Sequence, residues 1–165
     1  MPITFNANEI FQIAEQIERN GARFYRKAAD SASDKETKQM FLEMADMEAG
    51  HLKTFEHMRR YLTYKEKAAT VFDPDNEASI YLRTMADARG SEGKKSPTEE
   101  LTGAESIEEI LKIALSAEKD SVIYYFGLRS FVPPRAGRDK IEAIIAEEIK
   151  HITTLNKMLV SVQKG

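Results

Sequence analysis

A glutamate followed three residues later by a histidine occurs twice in this sequence, 100 residues apart: Glu48 with His51, and Glu148 with His151. On an α-helix this spacing places a carboxylate and an imidazole on one face, a turn apart. A chain that carries such a pair twice in one register is constrained to repeat the same helical unit. The motif therefore predicts helices, and it predicts that they are arranged with internal symmetry.

The agreement between the two halves continues upstream without a gap. Between 9–25 and 109–125, six of seventeen positions are identical, among them Glu18 with Glu118 and Tyr25 with Tyr125. Each half thus has one lone glutamate 30 residues before its Glu-x-x-His motif. We interpret the chain as one domain, 1–165, that contains a duplication of 9–62 and 109–162.

Apolar residues recur with helical spacing over four long stretches, and polar capping pairs stand where those stretches begin. The lone glutamates and the Glu-x-x-His motifs fall on the apolar stripes, near the middle of each helix. The third helix is expected to end at Val132-Pro133-Pro134, because proline cannot continue the helical ladder. The predicted starts are Asn6 or Asn8 with Glu9, Ser33 with Glu36, Ser106 with Glu109, and about Arg138.

The stretch 65–105 lacks a long periodic pattern. Asp73 and Pro74 favour the start of a short helix with apolar positions at Ala78, Leu82, Met85 and Ala88, ended by Gly90. Residues 91–103 have the composition of a loop. The sequence therefore predicts an all-α four-helix bundle with one long crossover that contains a short extra helix.

Buried carboxylates in such a bundle need compensating positive charge. An unpaired carboxylate in an apolar core costs several kcal/mol, on the order of 2–7 for a polar group alone, and neighbouring carboxylates repel one another. No lysine or arginine lies on the four stripes, whereas two divalent cations would balance four carboxylates. Oxygen and nitrogen ligands without thiolate suit iron or manganese. The predicted metal ligands are Glu18, Glu48, His51, Glu118, Glu148 and His151.

Simpler interpretations exist for the single features. One Glu-x-x-His alone would most often be a solvated pair, and His57, which is off the stripe, is expected at the surface. Gly21 and Ser121 favour close helix packing, with open space beside the metals as the alternative. Tyr25 and Tyr125 could hydrogen-bond a liganding carboxylate or could be ordinary core residues.

Composition excludes several classes of protein. The net charge is −3, and no basic cluster exceeds a pair such as Arg59-Arg60 or Lys94-Lys95, so nucleic-acid binding is not expected. The absence of cysteine excludes thiol catalysis, iron–sulfur clusters and a rubredoxin-type site in this chain. No apolar run reaches the ~20 residues of a membrane span, and no signal-peptide pattern is present. We expect a cytoplasmic protein that does not bind membranes.

These motifs resemble the rubrerythrin-like branch of the ferritin-like superfamily over all four long helices. The resemblance implies a di-iron centre that reduces hydrogen peroxide or dioxygen. It implies terminal carboxylates at Glu18 and Glu118, bridging carboxylates at Glu48 and Glu148, and one histidine on each metal. The matching motifs are Glu18-x-x-Gly-x-x-Phe-Tyr, Glu48-x-x-His51, Glu118-x-x-Ser-x-x-Tyr-Tyr and Glu147-Glu148-x-x-His151.

Two departures from that family matter. Rubrerythrins of the usual type carry an extra glutamate where this chain has Ser121, and they carry a rubredoxin domain, so electrons would here come from a separate donor protein. Three alternatives stay open at this point: an iron-handling or sensing protein without turnover, a metal that only stabilises the bundle, and a di-manganese catalase. A homodimer and a swap of one hairpin across 91–103 are also compatible with the sequence.

Overall fold

The computed structural model describes residues 4–71, 73–87 and 102–165, with every side chain except those of residues 79 and 85–87. These residues form six α-helices and one short 3₁₀-helix, Pro134–Ala136, and they contain no strand. The predicted all-α class is confirmed. The helices are α1 (Ala7–Asp30), α2 (Lys35–Arg60), α3 (Tyr64–Lys67), α4 (Glu77–Asp87), α5 (Ile107–Arg129) and α6 (Arg138–Lys164).

The predicted helix starts are confirmed where a capping box marks them. In α1 the Glu9 amide donates to Asn6 Oδ1 at 2.9 Å and the Asn6 amide donates to Glu9 Oε2 at 2.8 Å. Ser106 and Glu109 form the same reciprocal pair at the start of α5. Each box satisfies two backbone donors that a helix start otherwise leaves without partners.

The predicted start of α2 at Ser33 is wrong by one residue. Asp34 is the N-cap, and its carboxylate accepts both the amide and the hydroxyl of Thr37, each at 2.8 Å. Ser33 instead donates its amide and its hydroxyl to the carbonyl of Gly103, at 2.9 and 3.2 Å. A carboxylate that accepts two hydrogen bonds caps a helix better than a serine whose hydroxyl is already used.

The crossover contains more structure than the sequence indicated. The α3 turn, capped by Thr63 and Glu66, was not predicted. The helix expected from Asp73 begins later, at Glu77, because residues 73–76 form a turn in which Asn76 has φ +54°. Asp73 still caps this helix, since its carboxylate accepts the amides of Glu77 and Ala78. Leu82 is buried as expected, whereas the Met85 side chain, Ala88, Gly90 and the loop 91–101 lie outside the described residues.

Two apolar clusters fill the bundle, and each long helix runs from one to the other. α1 packs along α2, α5 packs along α6, and α4 lies against α1. The order of cluster residues along each helix shows that α1 and α6 run in one direction and α2 and α5 in the other. The crossover therefore connects opposite ends of the bundle, as predicted. One cluster includes Phe11, Phe55, Tyr125 and Ile144, and the other includes Tyr25, Met44, Leu111 and Leu155.

Within the described residues, no helix is both long enough and apolar enough to span a lipid bilayer.

Candidate metal centre

The six side chains singled out in the sequence lie together in a polar layer between the two apolar clusters. One glutamate comes from α1, one from α5, and a glutamate with its histidine comes from each of α2 and α6. Five of the six are buried; Glu48 is the most accessible, with 14% of its side chain exposed, against 0% for Glu148. The helical register thus carries charged groups into the middle of the bundle.

The two histidines face the glutamates of their own hairpins. His51 Nδ1 lies 3.3 Å from Glu18 Oε2 and 3.8 Å from Glu48 Oε2. His151 Nδ1 lies 3.5 Å from Glu148 Oε2 and 3.7 Å from Glu118 Oε2. The two imidazole rings face each other and are parallel within 4°. Each histidine thus lies within 4 Å of both glutamates of its own hairpin.

Three groups of three residues each offer ligand atoms that lie within 4.8 Å of one another. Together these overlapping groups contain all six side chains. Such a set has enough donors to hold more than one metal ion. The groups are Glu18 with His51 and His151, Glu48 with His51 and Glu118, and Glu118 with Glu148 and His151.

Several polar atoms of this layer lack a partner within the part of the chain that is described. Both carboxylate oxygens of Glu148 and Nδ1 of His151 are buried without a hydrogen bond of ordinary geometry. Among those same residues, no lysine or arginine makes a salt bridge with Glu18, Glu48 or Glu148. A buried unsatisfied polar group costs about 1–3 kcal/mol, and more if it is charged. Divalent cations would satisfy these atoms, and carboxylate oxygens with imidazole nitrogens suit iron or manganese.

The carboxylates differ in how their surroundings shift their proton affinity. Burial raises the pKa of Glu18 well above its usual value, and the charges of Glu48, Glu148 and Glu118 raise it further. Burial also acts to raise the pKa of Glu48 and Glu148, but the adjoining glutamate and histidine outweigh it, so each net pKa is lowered. The layer without metal therefore retains a proton on Glu18 most readily, in a position where a cation would compete with it.

The two tyrosines predicted beside the site are both buried. Tyr25 packs against Phe24 and Phe41, with ring centroids 4.8 and 6.4 Å away. The hydroxyl of Tyr125 has no hydrogen-bond partner among the described residues, so it does not make the carboxylate contact considered for it. Burial, together with the charges of Glu148 and Glu18, raises the pKa of Tyr125. A hydrogen bond to a liganding carboxylate remains a prediction for the metal-loaded protein.

Gly21 adjoins the site in a way that spacing alone could not show. A Cβ atom at Gly21 would lie 3.0 Å from Cδ of Glu48 and 3.1 Å from its Oε2. The glycine therefore leaves room for the Glu48 carboxylate, rather than for a neighbouring helix backbone. Ser121, the related residue of the second half, is partly buried.

An ion pair between a buried glutamate and a partly exposed arginine, one turn from the site, was not predicted from the sequence. Arg59 donates through Nε and Nη2 to the two carboxylate oxygens of Glu15, which is only 4% exposed. The related positions of the second half are Leu115 and Leu159, and this difference between the halves was the available signal. His57 is exposed, as predicted.

Comparison with known proteins identifies the fold but not a family. No family model matches the chain, and no curated protein matches it. A crystal structure of a proposed ferritin-like diiron-carboxylate protein from Thermotoga maritima is similar, with a TM-score of 0.51 and 25% sequence identity, over 96% of this chain and 97% of that one. The chain has a ferritin-like fold. The likeness does not single out the rubrerythrin-like branch.

Proposed function

We propose that this protein binds two metal ions, iron in the cell, through Glu18, Glu48, His51, Glu118, Glu148 and His151. We further propose that the loaded centre reduces hydrogen peroxide or dioxygen with electrons from a separate donor protein. The observation that carries the proposal is the buried Glu148 carboxylate, which among the described residues has neither a hydrogen bond of ordinary geometry nor a lysine or arginine partner. Its nearest polar neighbours are a glutamate and a histidine of the same layer, which are themselves possible metal ligands.

Charge balance supports two ions rather than one. Four glutamates carry four negative charges when ionised, and the two histidines are neutral when they act as ligands. Two divalent cations neutralise that charge, whereas a single ion would leave two carboxylates uncompensated at low dielectric. The similar Thermotoga maritima protein, described as a proposed diiron-carboxylate protein, supports iron.

The side chains have distinct tasks in this proposal. A bound iron pair would supply one electron from each ion to a two-electron oxidant. Glu148, at 0% exposure, is shielded from solvent, and the two apolar clusters that flank the layer keep bulk water out. Glu48, with 14% of its side chain exposed, marks the side on which a small oxidant approaches.

The rubrerythrin-like assignment and the location in the cytoplasm belong to the same proposal. The motifs around Glu118 and Glu148 support the former, although Ser121 replaces a glutamate typical of that branch. These 165 residues contain no cysteine and therefore no ligands for an iron–sulfur or rubredoxin site, which supports a separate electron donor. An iron-handling protein without turnover is the competing function.

Peroxide consumption by ferrous protein separates the two functions. We expect the loaded wild-type protein to consume hydrogen peroxide in repeated turnovers with a chemical reductant, far faster than free Fe(II). Glu148→Gln should abolish this activity, whereas Glu147→Gln, which changes the neighbouring partly exposed glutamate that pairs with Lys150, should not. One stoichiometric oxidation without turnover would support iron handling instead, and equal losses in the two variants would contradict the assigned site.

A further inference from the structure

A surface cavity of about 350 Å³ lies outside the polar layer, between the chain that follows α3 and the 3₁₀-helix before α6. Its volume falls within the range of small-molecule sites, roughly 300–1,000 Å³. Three alanines and one threonine form the cavity floor, so its side chains are short and largely apolar. Two basic side chains border the floor. The lining residues are Lys65, Ala68, Ala69, Thr70, Arg135 and Ala136.

The two basic residues come from different elements. Lys65 belongs to α3 and Arg135 to the 3₁₀-helix, and the two elements pack against each other. Neither residue makes a salt bridge within the described ranges 4–71, 73–87 and 102–165, whereas Arg59 and Arg129 do. In a protein with a net charge of −3, two basic side chains on one cavity, neither of them in a salt bridge among the described residues, form a local positive site.

One wall of the cavity is held in place by hydrogen bonds to the segment before α1. The Asn6 side chain donates to the carbonyls of Lys67 and Ala68, at 3.3 and 3.1 Å. The Thr70 hydroxyl donates to the carbonyl of Thr4 at 2.8 Å. These contacts fix the backbone from 67 to 70, which is otherwise irregular, so this wall does not have to be ordered by a ligand.

The opposite wall is fixed by close packing. Gly137, directly after the 3₁₀-helix, has φ +96°, and a Cβ there would lie 2.6 Å from Cβ of Ala7 and 3.1 Å from Cγ of Glu66. Only glycine allows both this conformation and this approach. Ala136 is accordingly buried at 2% exposure, and Arg135 is held at the cavity edge.

We propose that this cavity binds a small organic anion, a carboxylate or a phosphate ester with a short apolar part. Lys65 and Arg135 contact the anionic group, Arg135 through two parallel hydrogen bonds. The apolar part rests on Ala68, Ala69 and Ala136. The site shares no residue with the candidate metal centre, so binding there does not depend on metal.

Isothermal titration of the full chain with acetate, butyrate, inorganic phosphate and butyl phosphate tests the proposal. We expect saturable binding at one site. Within each pair of probes, the one with the apolar chain should bind more tightly: butyrate more tightly than acetate, or butyl phosphate more tightly than phosphate. The pair that binds with the higher affinity identifies the anionic group. Lys65→Gln and Arg135→Gln should each weaken binding about five- to tenfold. Lys67→Gln, a change to an exposed lysine of the same helix that does not line the cavity, should leave it within about twofold.

A variant that fills the cavity distinguishes binding inside the cavity from nonspecific attraction of anions to a basic surface. Ala69→Leu places a larger side chain on the exposed cavity floor without changing charge, and it should abolish binding while circular dichroism and the melting temperature stay unchanged. Equal weakening by Lys65→Gln and Lys67→Gln, or full binding by the Ala69→Leu variant, would show that anions only gather at a basic surface. No saturable binding of any of the four probes would overturn the proposal.

Discussion

Replacement of Glu148 by leucine should stabilise the metal-free protein while it removes metal binding. Glu148 is fully buried, and both of its carboxylate oxygens lack hydrogen-bond partners among the described residues. Replacement of buried charged groups by apolar ones of similar volume is often neutral or stabilising, by about 1–4 kcal/mol. We expect about 2 kcal/mol here, in the lower part of that range, because the adjoining histidine and glutamate offset part of the burial cost of Glu148 while the variant removes its repulsion with Glu18.

Urea unfolding in the presence of a chelator measures this difference. For a chain of this size, 2 kcal/mol corresponds to a rise of roughly 4–8 °C in Tm. Glu147→Leu is the matched control, since Glu147 is partly exposed and pairs with Lys150, and its effect should stay within about 0.5 kcal/mol. With Fe(II) or Mn(II) present the order should reverse, because only the wild-type protein gains binding free energy. If the Glu148→Leu variant without metal is less stable than the wild type by 1 kcal/mol or more, Glu148 is compensated by its surroundings and the reasoning is refuted.

Three further predictions concern single contacts. Because the folded-state pKa of Glu18 is raised, the stability of the metal-free protein should fall as pH rises above 4.5, and thermal melts in chelator that show a rise would contradict this. The pKa of Glu48 is lowered, so its contribution to stability decreases as the pH falls below 4.5. Gly21→Ala should preserve the fold but weaken metal binding about tenfold by displacing Glu48, and unchanged affinity in a metal titration would count against that contact. Arg59→Leu should lower the free energy of unfolding in urea by about 2–3 kcal/mol, less than the roughly 3–5 kcal/mol of a fully buried pair, because Arg59 is 33% exposed. Adding Glu15→Leu to this variant should restore most of the loss. A double variant that is no more stable than Arg59→Leu alone would disprove the pairing.

The parts of the fold that follow from local rules were predictable. A capping box such as Asn6 with Glu9 requires residues only three positions apart, and its predicted helix start is confirmed. The burial of Glu18 and Glu118 follows from the helical period alone, because both residues lie on the apolar stripes of their helices. The structure brings the six predicted ligands together, and their binding of metal stays a prediction.

The parts that depend on contacts between distant segments were not predictable in the same way. Asp34 replaces Ser33 as the cap because Ser33 is bound to Gly103, 70 residues away. The short α3 turn is held partly by Asn6, whose side chain reaches the carbonyl of Ala68. The spacing of residues within one helix does not predict such contacts. For the same reason it does not predict that Gly21 lies against the Glu48 carboxylate of the next helix.

The ion pair between Glu15 and Arg59 shows what a comparison of the two halves can add. Glu15 and Arg59 occupy positions where the second half has Leu115 and Leu159. A charged pair in one copy and an apolar pair in the other indicates that the two positions contact each other in the bundle. The same comparison explains why both arrangements are stable. A charged pair in the first half and two leucines in the second both avoid leaving a buried polar group unsatisfied.

The central claim is that the buried carboxylates are stable in the bundle because cations lie among them. Elemental analysis of the full chain purified without added metal tests it most directly, with the Glu148→Leu variant purified in parallel. The account predicts two equivalents of iron, or of manganese, per wild-type chain and a loss of metal in the variant. A wild-type protein that is folded, free of metal, and unable to take up Fe(II) or Mn(II) would contradict it.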